Sequence, residues 1–121
     1  MPPVRVTICK DCTTYARQLA DEVLPEAIAK AISFKGAEVE SSSVMIDIKR
    51  RDPVMAVNMP DILIEVEAHN YPERVGNENQ MALEIKEAAD GFLENRSTQP
   101  DIVVLVKLVT MGVAAPSKSS G

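Results

Sequence analysis

Apolar and polar residues alternate with a period of two in three short stretches of the chain. The apolar positions of these stretches are Val4, Val6 and Ile8, then Val44, Ile46 and Ile48, and then Ile62, Ile64 and Val66. This period is typical of a strand that buries one face. The stretch 101–109 is apolar at almost every position, which predicts a fourth strand buried on both faces.

Two longer stretches repeat their apolar residues every three or four positions, as one face of an amphipathic helix does. They cover residues 19–32 and 81–92. Pro25 lies inside the first of them. Because proline has no amide donor and clashes with the preceding turn, we expect this helix to kink or break before Pro25.

The ends of the first helix also have sequence signals. Asp11 or Thr13 can cap its start, because a short side-chain oxygen accepts a bond from an unpaired backbone N–H. Lys35-Gly36 is the expected end, with Gly36 in the left-handed conformation that glycine adopts readily.

The predicted elements follow the order β-α-β and then β-α-β, and the two halves can be overlaid. A shift of 58 positions carries Pro2 onto Pro60 and matches both pairs of strands, with a helix between the strands of each pair. The repeat predicts a single α/β domain with a four-stranded mixed sheet. Its two units span about residues 2–58 and 60–113.

Composition limits the classes to which the protein can belong. Its 121 residues suit one domain, assigned to 1–113, with a flexible polar tail at 114–121. The net charge of −5 argues against a nucleic-acid partner, which requires a basic face. No apolar run approaches the ~20 residues of a membrane helix, and no signal peptide is apparent. Two cysteines make no disulfide framework, which predicts a cytoplasmic setting.

The first residues suggest one kind of chemistry. If Met1 is removed, Pro2 exposes a secondary amine, and an α-amino group titrates near ~8, closer to neutrality than lysine. Such an amine can move a proton between carbon and oxygen at neutral pH. The simpler interpretation is that Pro2 only opens a strand, and the adjacent Pro3 works against removal of Met1.

The Met-Pro start, the β-α-β unit of about 60 residues and its repetition resemble the tautomerase superfamily. That superfamily includes 4-oxalocrotonate tautomerase, 5-carboxymethyl-2-hydroxymuconate isomerase and macrophage migration inhibitory factor. The resemblance covers residues 2 to about 113. It implies an α/β sandwich with two helices on one face of the sheet, assembled as a homotrimer. It also implies cofactor-free and metal-free keto-enol isomerisation of a small 2-oxo or enol carboxylic acid, with Pro2 as general base or acid.

The resemblance also points to three candidate substrate-binding residues. Lys35 matches a lysine that lines the pocket in some members, although it can equally be a solvated cation beside a helix C-terminus. Arg74 lies in a loop where some members carry substrate-binding arginines, and it can instead pair with Glu73. His69, the only histidine, is expected at the rim of the pocket, either as a general acid or as an ordinary loop residue.

Two other hypotheses remain open at this point. Cys9-Lys10-Asp11-Cys12 has the spacing of a thiol redox motif at a strand-to-helix junction. Alternatively, the order of elements fits a ferredoxin-like or tautomerase-like module that binds a partner or oligomerises without catalysis. The direction of the strands separates the two folds, because a ferredoxin-like sheet is fully antiparallel. Whether the protein is an enzyme is therefore not decided by the sequence.

Overall fold

The computed structural model describes residues 2–9, 13–52, 54, 57–94 and 99–110. Met1, Asp11, Cys12 and the predicted tail at 114–121 lie outside the described residues. The elements, in chain order, are β1 (Pro3–Ile8), α1 (Thr13–Gln18), α2 (Leu24–Ile32), β2 (Met45–Arg50), β3 (Ile62–His69), α3 (Glu78–Leu93) and β4 (Ile102–Val109).

The four strands form one mixed sheet in the order β2-β1-β3-β4. The strands of each unit pair in parallel, β1 with β2 and β3 with β4, while β1 and β3 meet antiparallel at the centre. This arrangement confirms the mixed sheet predicted from the repeat. The ferredoxin-like alternative is wrong, because a sheet of that kind has no parallel pairs.

The two units repeat the same plan with a small difference in strand pairing. In the first unit Pro3 pairs with Met45, 42 positions later, whereas in the second Ile62 pairs with Ile102, 40 positions later. If residue numbers in β1 are matched to β3 by adding 58, residue numbers in β2 are therefore matched to β4 by adding only 56. Because side chains alternate between faces, a difference of two leaves each residue on the same face.

The core lies on one face of the sheet. That face and the helices that cover it contribute the following buried residues: Val4, Val6, Ile8, Leu19, Leu24, Ile28, Ile32, Ile62, Ile64, Val66, Met81, Ile85, Ala89, Leu93, Ile102 and Val104. Each large aliphatic side chain among them stabilises the fold by roughly 1.5–3 kcal/mol through its removal from water. The helices cover this face alone, so the domain is a two-layer sandwich, as the resemblance implied.

The second face of the sheet has no covering layer among the described residues. Along β4 the buried Ile102 and Val104 alternate with Val103 and Leu105, which are 37% and 50% exposed. The prediction that this strand is buried on both faces is therefore wrong for a single chain. β4 is apolar on both faces, but the helices of this chain cover only one of them.

The first helix breaks where Pro25 predicted it. Leu19–Val23 forms a π-helical turn between α1 and α2, in which the Leu24 amide donates to the Leu19 carbonyl five residues earlier. Pro25 occupies the first turn of α2, where a missing amide costs least. The wider turn absorbs the disruption, so the two helical segments continue without an open gap.

The helix ends three residues earlier than predicted. α2 stops at Ile32, because Ser33 is extended and its amide and hydroxyl both donate to the Ala29 carbonyl, at 3.1 and 2.6 Å. Gly36 has the predicted positive φ, 101°, but in a separate tight turn that the Phe34–Ala37 backbone pair closes.

The second helix matches its prediction closely. α3 buries Met81, Ile85, Ala89 and Leu93 at helical spacing, and Lys86 pairs with Asp90 one turn later at 2.6 Å. Among the helices that the structure describes, none has the length and apolarity needed to span a membrane.

Candidate functional site

The strand directions bring several predicted site residues to the same end of the sheet. β1 and β2 begin there, and β3 ends there beside the start of β1, since Val4 pairs with Val66. Pro2 is buried at this end, and its carbonyl accepts a hydrogen bond of 3.2 Å from the Met45 amide. We call this region the Pro2 end.

Lys35 lies in the tight turn that follows α2. The turn is closed by two backbone bonds between Phe34 and Ala37, and it is tied to α2 because the Val39 amide donates to the Ser33 hydroxyl at 2.8 Å. The Lys35 side chain is exposed. The turn therefore presents a cation that is available to an anionic ligand.

Arg74 is buried, with only 5% of its surface exposed. Its Nε donates to the Ile32 carbonyl at 3.0 Å and its Nη1 donates to the His69 carbonyl at 2.9 Å. Two of its five N–H donors thus join the end of α2 to the end of β3. Burial lowers the pKa of Arg74 from its ordinary value, and Tyr71 has a weaker opposite effect, but an arginine remains charged at neutral pH.

Two aromatic rings lie together beside the Arg74 guanidinium. Its central carbon lies 5.4 Å from the Phe34 ring centre and 5.2 Å from the Tyr71 ring centre, within the range of cation–π attraction. The two rings also contact each other edge to face, with centres 5.5 Å apart. Phe34 is the residue before Lys35, so the turn is packed directly on the guanidinium.

His69 ends β3 and is half-buried. Its ring contacts Tyr71 with centres 4.5 Å apart, and its carbonyl is the one that Arg74 holds. The structure therefore brings Phe34, His69, Tyr71 and Arg74 into one cluster, with Lys35 on its turn. Pro2 belongs to the same end of the sheet through the pairing of β1 with β3.

A depression of about 480 Å³ on the uncovered sheet face was missed by the sequence reasoning. Pro3 lies at its edge, next to Pro2, and its charged lining consists of Arg5, Lys107, Asp47, Glu65 and Glu67. Two cations and three carboxylates give a formal charge of 2 − 3 = −1. The sequence did contain a signal for this charged surface, because these residues occupy polar positions of the strands. The depression does not favour an anion by its charge.

The opposite end of the sheet contains Pro60, the counterpart of Pro2. Asp61 accepts a bond of 2.9 Å from the Asp101 amide there, and Asp90 and Lys86 lie in the same shallow depression. The three carboxylates and one lysine that line this depression give it a formal charge of 1 − 3 = −2, and Arg50 at the end of β2 pairs with Ile8 at the same end of the sheet. We call this region the Pro60 end.

The cysteine motif is described only in part. Cys9 is buried at the Pro60 end, where its amide donates to the Asp61 carbonyl at 2.9 Å, and Cys12 lies outside the described residues. Within the described ranges, no three or more His, Cys, Asp or Glu side chains are placed to hold a metal ion.

Comparison with known proteins identifies the fold. No protein-family model and no curated protein matches the sequence. The structure is similar to that of the fused 4-OT wild-type symmetric trimer, with 18% identity, a TM-score of 0.64, and coverage of 93% of this chain and 91% of that one. It is also similar to FG41 malonate semialdehyde decarboxylase inhibited by 3-bromopropiolate, with 11% identity, a TM-score of 0.60, and coverage of 97% and 91%.

Both neighbours are tautomerase superfamily members. The fold that the sequence resemblance implied is therefore confirmed. At these identities the likeness establishes the fold, and the chemistry has to be argued from this chain's own residues.

Proposed function

We propose that this protein catalyses a cofactor-free keto-enol isomerisation of a small 2-oxo or enol carboxylic acid. The Pro2 nitrogen, freed by removal of Met1, moves the proton. Lys35 binds the carboxylate of the substrate, and His69 stands at the rim of the site.

One contrast carries this proposal. Pro2 and Pro60 hold equivalent places in the two units, but different groups lie around them. Lys35 and Arg74 lie at the Pro2 end, whereas the shallow depression at the Pro60 end is lined by three carboxylates and one lysine. The exposed Lys35 therefore supplies a cation for a carboxylate ligand at the Pro2 end. Only the first proline can also gain a free amine.

The proton transfer balances within the substrate. In the enol-to-keto direction, the protonated Pro2 nitrogen donates its proton to carbon, where the electron pair of the C=C bond forms a C–H bond. The enol O–H bond breaks, a C=O bond forms, and the released proton restores the nitrogen. Because Pro2 is buried, water competes weakly at the reacting atoms.

The roles proposed for Lys35 and Arg74 follow from the N–H groups that each can offer to a substrate. Lys35 has an exposed ammonium with three N–H groups that can bind a carboxylate. Arg74 uses Nε and Nη1 on backbone carbonyls, so any direct contact with substrate falls to the rest of its guanidinium. This geometry favours Lys35 over Arg74 as the main carboxylate ligand.

We also propose that the active form is a homotrimer in a cytoplasmic setting. The uncovered face of the sheet presents Met45, Val103 and Leu105, each more than a third exposed. β2 and β4 each have one neighbour in the sheet, which leaves two open edges. Copies of the chain placed against this face and these edges would cover both, and one structural neighbour is itself a symmetric trimer.

The first experiment uses protein expressed without an N-terminal tag. Its intact mass shows whether Met1 has been removed, and ketonisation of the enols of small 2-oxo acids is followed by their ultraviolet absorbance. We expect Pro2→Ala to lower kcat/KM by about 10²-fold or more, the usual contribution of a positioned proton-transfer group. Pro60→Ala is the matched control and should leave the rate unchanged.

The proposal fails if Pro2→Ala retains full activity, or if the two variants lose activity equally. Protein that retains Met1 has the Pro2 nitrogen in a peptide bond and cannot use it as a base. That result, which Pro3 favours, would support the alternative of a non-catalytic binding or oligomerisation module with this fold.

A further inference from the structure

We propose that Arg74 is a positioning residue that holds the Lys35 turn and the end of β3 in place at the Pro2 end. We call the arrangement of Arg74 with Phe34, Tyr71 and the carbonyls of Ile32 and His69 the Arg74 clasp. The catalytic part of this inference rests on the proposed function, whereas the structural part does not.

The clasp joins segments that are far apart in the sequence. The bond from Nε reaches the last residue of α2, 42 positions earlier, and the bond from Nη1 reaches the last residue of β3. A cation at a helix C-terminus is favoured by the helix dipole and satisfies one of the carbonyls that have no partner within the helix. Arg74 therefore fixes the distance between α2 and β3.

The turn that contains Lys35 depends on this contact. Its own Phe34–Ala37 bonds and the Ser33–Val39 bond are local, and the Phe34 ring links the turn to the guanidinium and to Tyr71. Gly36 at a φ of 101° leaves the turn free to change conformation if that packing is lost. Loss of Arg74 would therefore increase the mobility of Lys35.

Lysine cannot replace this arginine fully. The guanidinium donates to two carbonyls from different nitrogens while two rings lie within cation–π distance of it. An ammonium is a point charge on a flexible stem. It can donate to one of the two carbonyls, and it interacts less favourably than a guanidinium with either ring. We expect Arg74→Lys to retain part of the clasp and Arg74→Gln to lose it.

Amide hydrogen exchange tests the structural part without any substrate. In Arg74→Gln we expect the amides of Ala37 and Val39 to exchange at least about tenfold faster, since bonds to a charged group are lost. The amide of Ile85, in the middle of α3, should be unchanged. Arg17→Gln, at an exposed arginine paired with Asp21, is the matched control. The single histidine also gives one set of imidazole NMR signals, which should shift in Arg74→Gln and stay in place in Arg17→Gln.

A second variant keeps the inference testable if Arg74→Gln does not fold. Tyr71 is 42% exposed, so Tyr71→Leu removes the outer ring without opening the core. It should increase exchange at Ala37 and Val39 by a smaller factor than Arg74→Gln. Unchanged exchange at these amides in both Arg74→Gln and Tyr71→Leu would overturn the inference.

A double-mutant cycle distinguishes positioning from direct substrate binding. If Arg74 acts through Lys35, Arg74→Gln raises KM about tenfold in the native background and has little effect once Lys35→Ala is present. If Arg74 binds the substrate itself, the two effects add, and the positioning role is wrong. The KM of Arg74→Lys should lie between those of the native protein and Arg74→Gln. If no variant, including the native protein, has activity, the proposed function fails while the exchange experiment still tests the clasp.

Discussion

The two faces of the sheet are built from the same strands but differ in how their side chains are covered. In β1, Val4 and Val6 are at most 3% exposed, whereas Arg5 between them points to the other face and is exposed. The covered face is apolar and packed against α2 and α3. The uncovered face mixes charges with apolar residues, which no helix among the described residues contacts.

The difference shows which part of the fold one chain completes. The Asp47–Arg5–Glu65 row crosses three strands in register and alternates in charge, while Leu105 lies beside Glu65 in the next strand. Alternating charges next to exposed apolar residues are typical of a surface that meets a partner with a polar rim and an apolar centre. We interpret the covered face as the folding core and the uncovered face as an assembly surface.

The largest effect should come from the covered face. Ile64 is fully buried at the centre of the sheet, opposite Val6, so Ile64→Ala should destabilise the protein by about 2–5 kcal/mol through lost burial and the cavity left behind. Leu63→Ala, one residue away on the other face, should cost about 1 kcal/mol or less. Urea unfolding at several protein concentrations measures both. Equal losses would show that both faces act as a core.

An intermediate effect is expected at the uncovered face. Leu105→Asp places a charge among the apolar residues of that surface, so we expect the proposed trimer to dissociate towards single chains. Leu83→Asp is a close control, because Leu83 on α3 is 49% exposed and Leu105 is 50% exposed. Sedimentation equilibrium gives the mass of each variant. An unchanged mass for Leu105→Asp, or the same change in both, would contradict the assigned role of this face.

The smallest effect concerns the Arg5–Glu65 pair. Its closest nitrogen and oxygen atoms are 4.0 Å apart and its side chains are 63% and 38% exposed, so in a single chain its coupling should be about 0.2–1 kcal/mol. Inside an assembly the pair loses water and its coupling should rise. A double-mutant cycle with Arg5→Gln and Glu65→Gln, measured by unfolding in the native and Leu105→Asp backgrounds, compares the two situations. Identical coupling in both would argue that the pair remains solvated.

Much of the fold could be predicted because its causes are local. A period of two or of three to four residues follows from strand and helix geometry, so the elements appear directly in the sequence. Pro25 broke its helix as expected, since a missing amide acts at its own position. The end of α2 was predicted too late in the sequence. The Ser33 hydroxyl donates to the Ala29 carbonyl, and the residue pattern does not distinguish an end at Ser33 from the predicted Lys35-Gly36 cap.

The arrangement of the candidate site was harder to predict. Arg74 was expected to bind the substrate, and its bonds to Ile32 and His69 arise only when α2 and β3 meet at one end of the sheet. Phe34 was not singled out, although it directly precedes Lys35. Whether Pro2, Lys35, Arg74 and His69 act on a substrate stays a prediction that the proposed variants test.

The sequence by itself determined the periodic elements, their order, the break at Pro25 and the left-handed Gly36, because each depends on residues within a few positions of one another. Tertiary structure decided the strand registers, which face of β4 is covered, and the burial of Arg74 beside two rings. These depend on contacts between distant segments, whose free energies appear only when the chain has closed around its core.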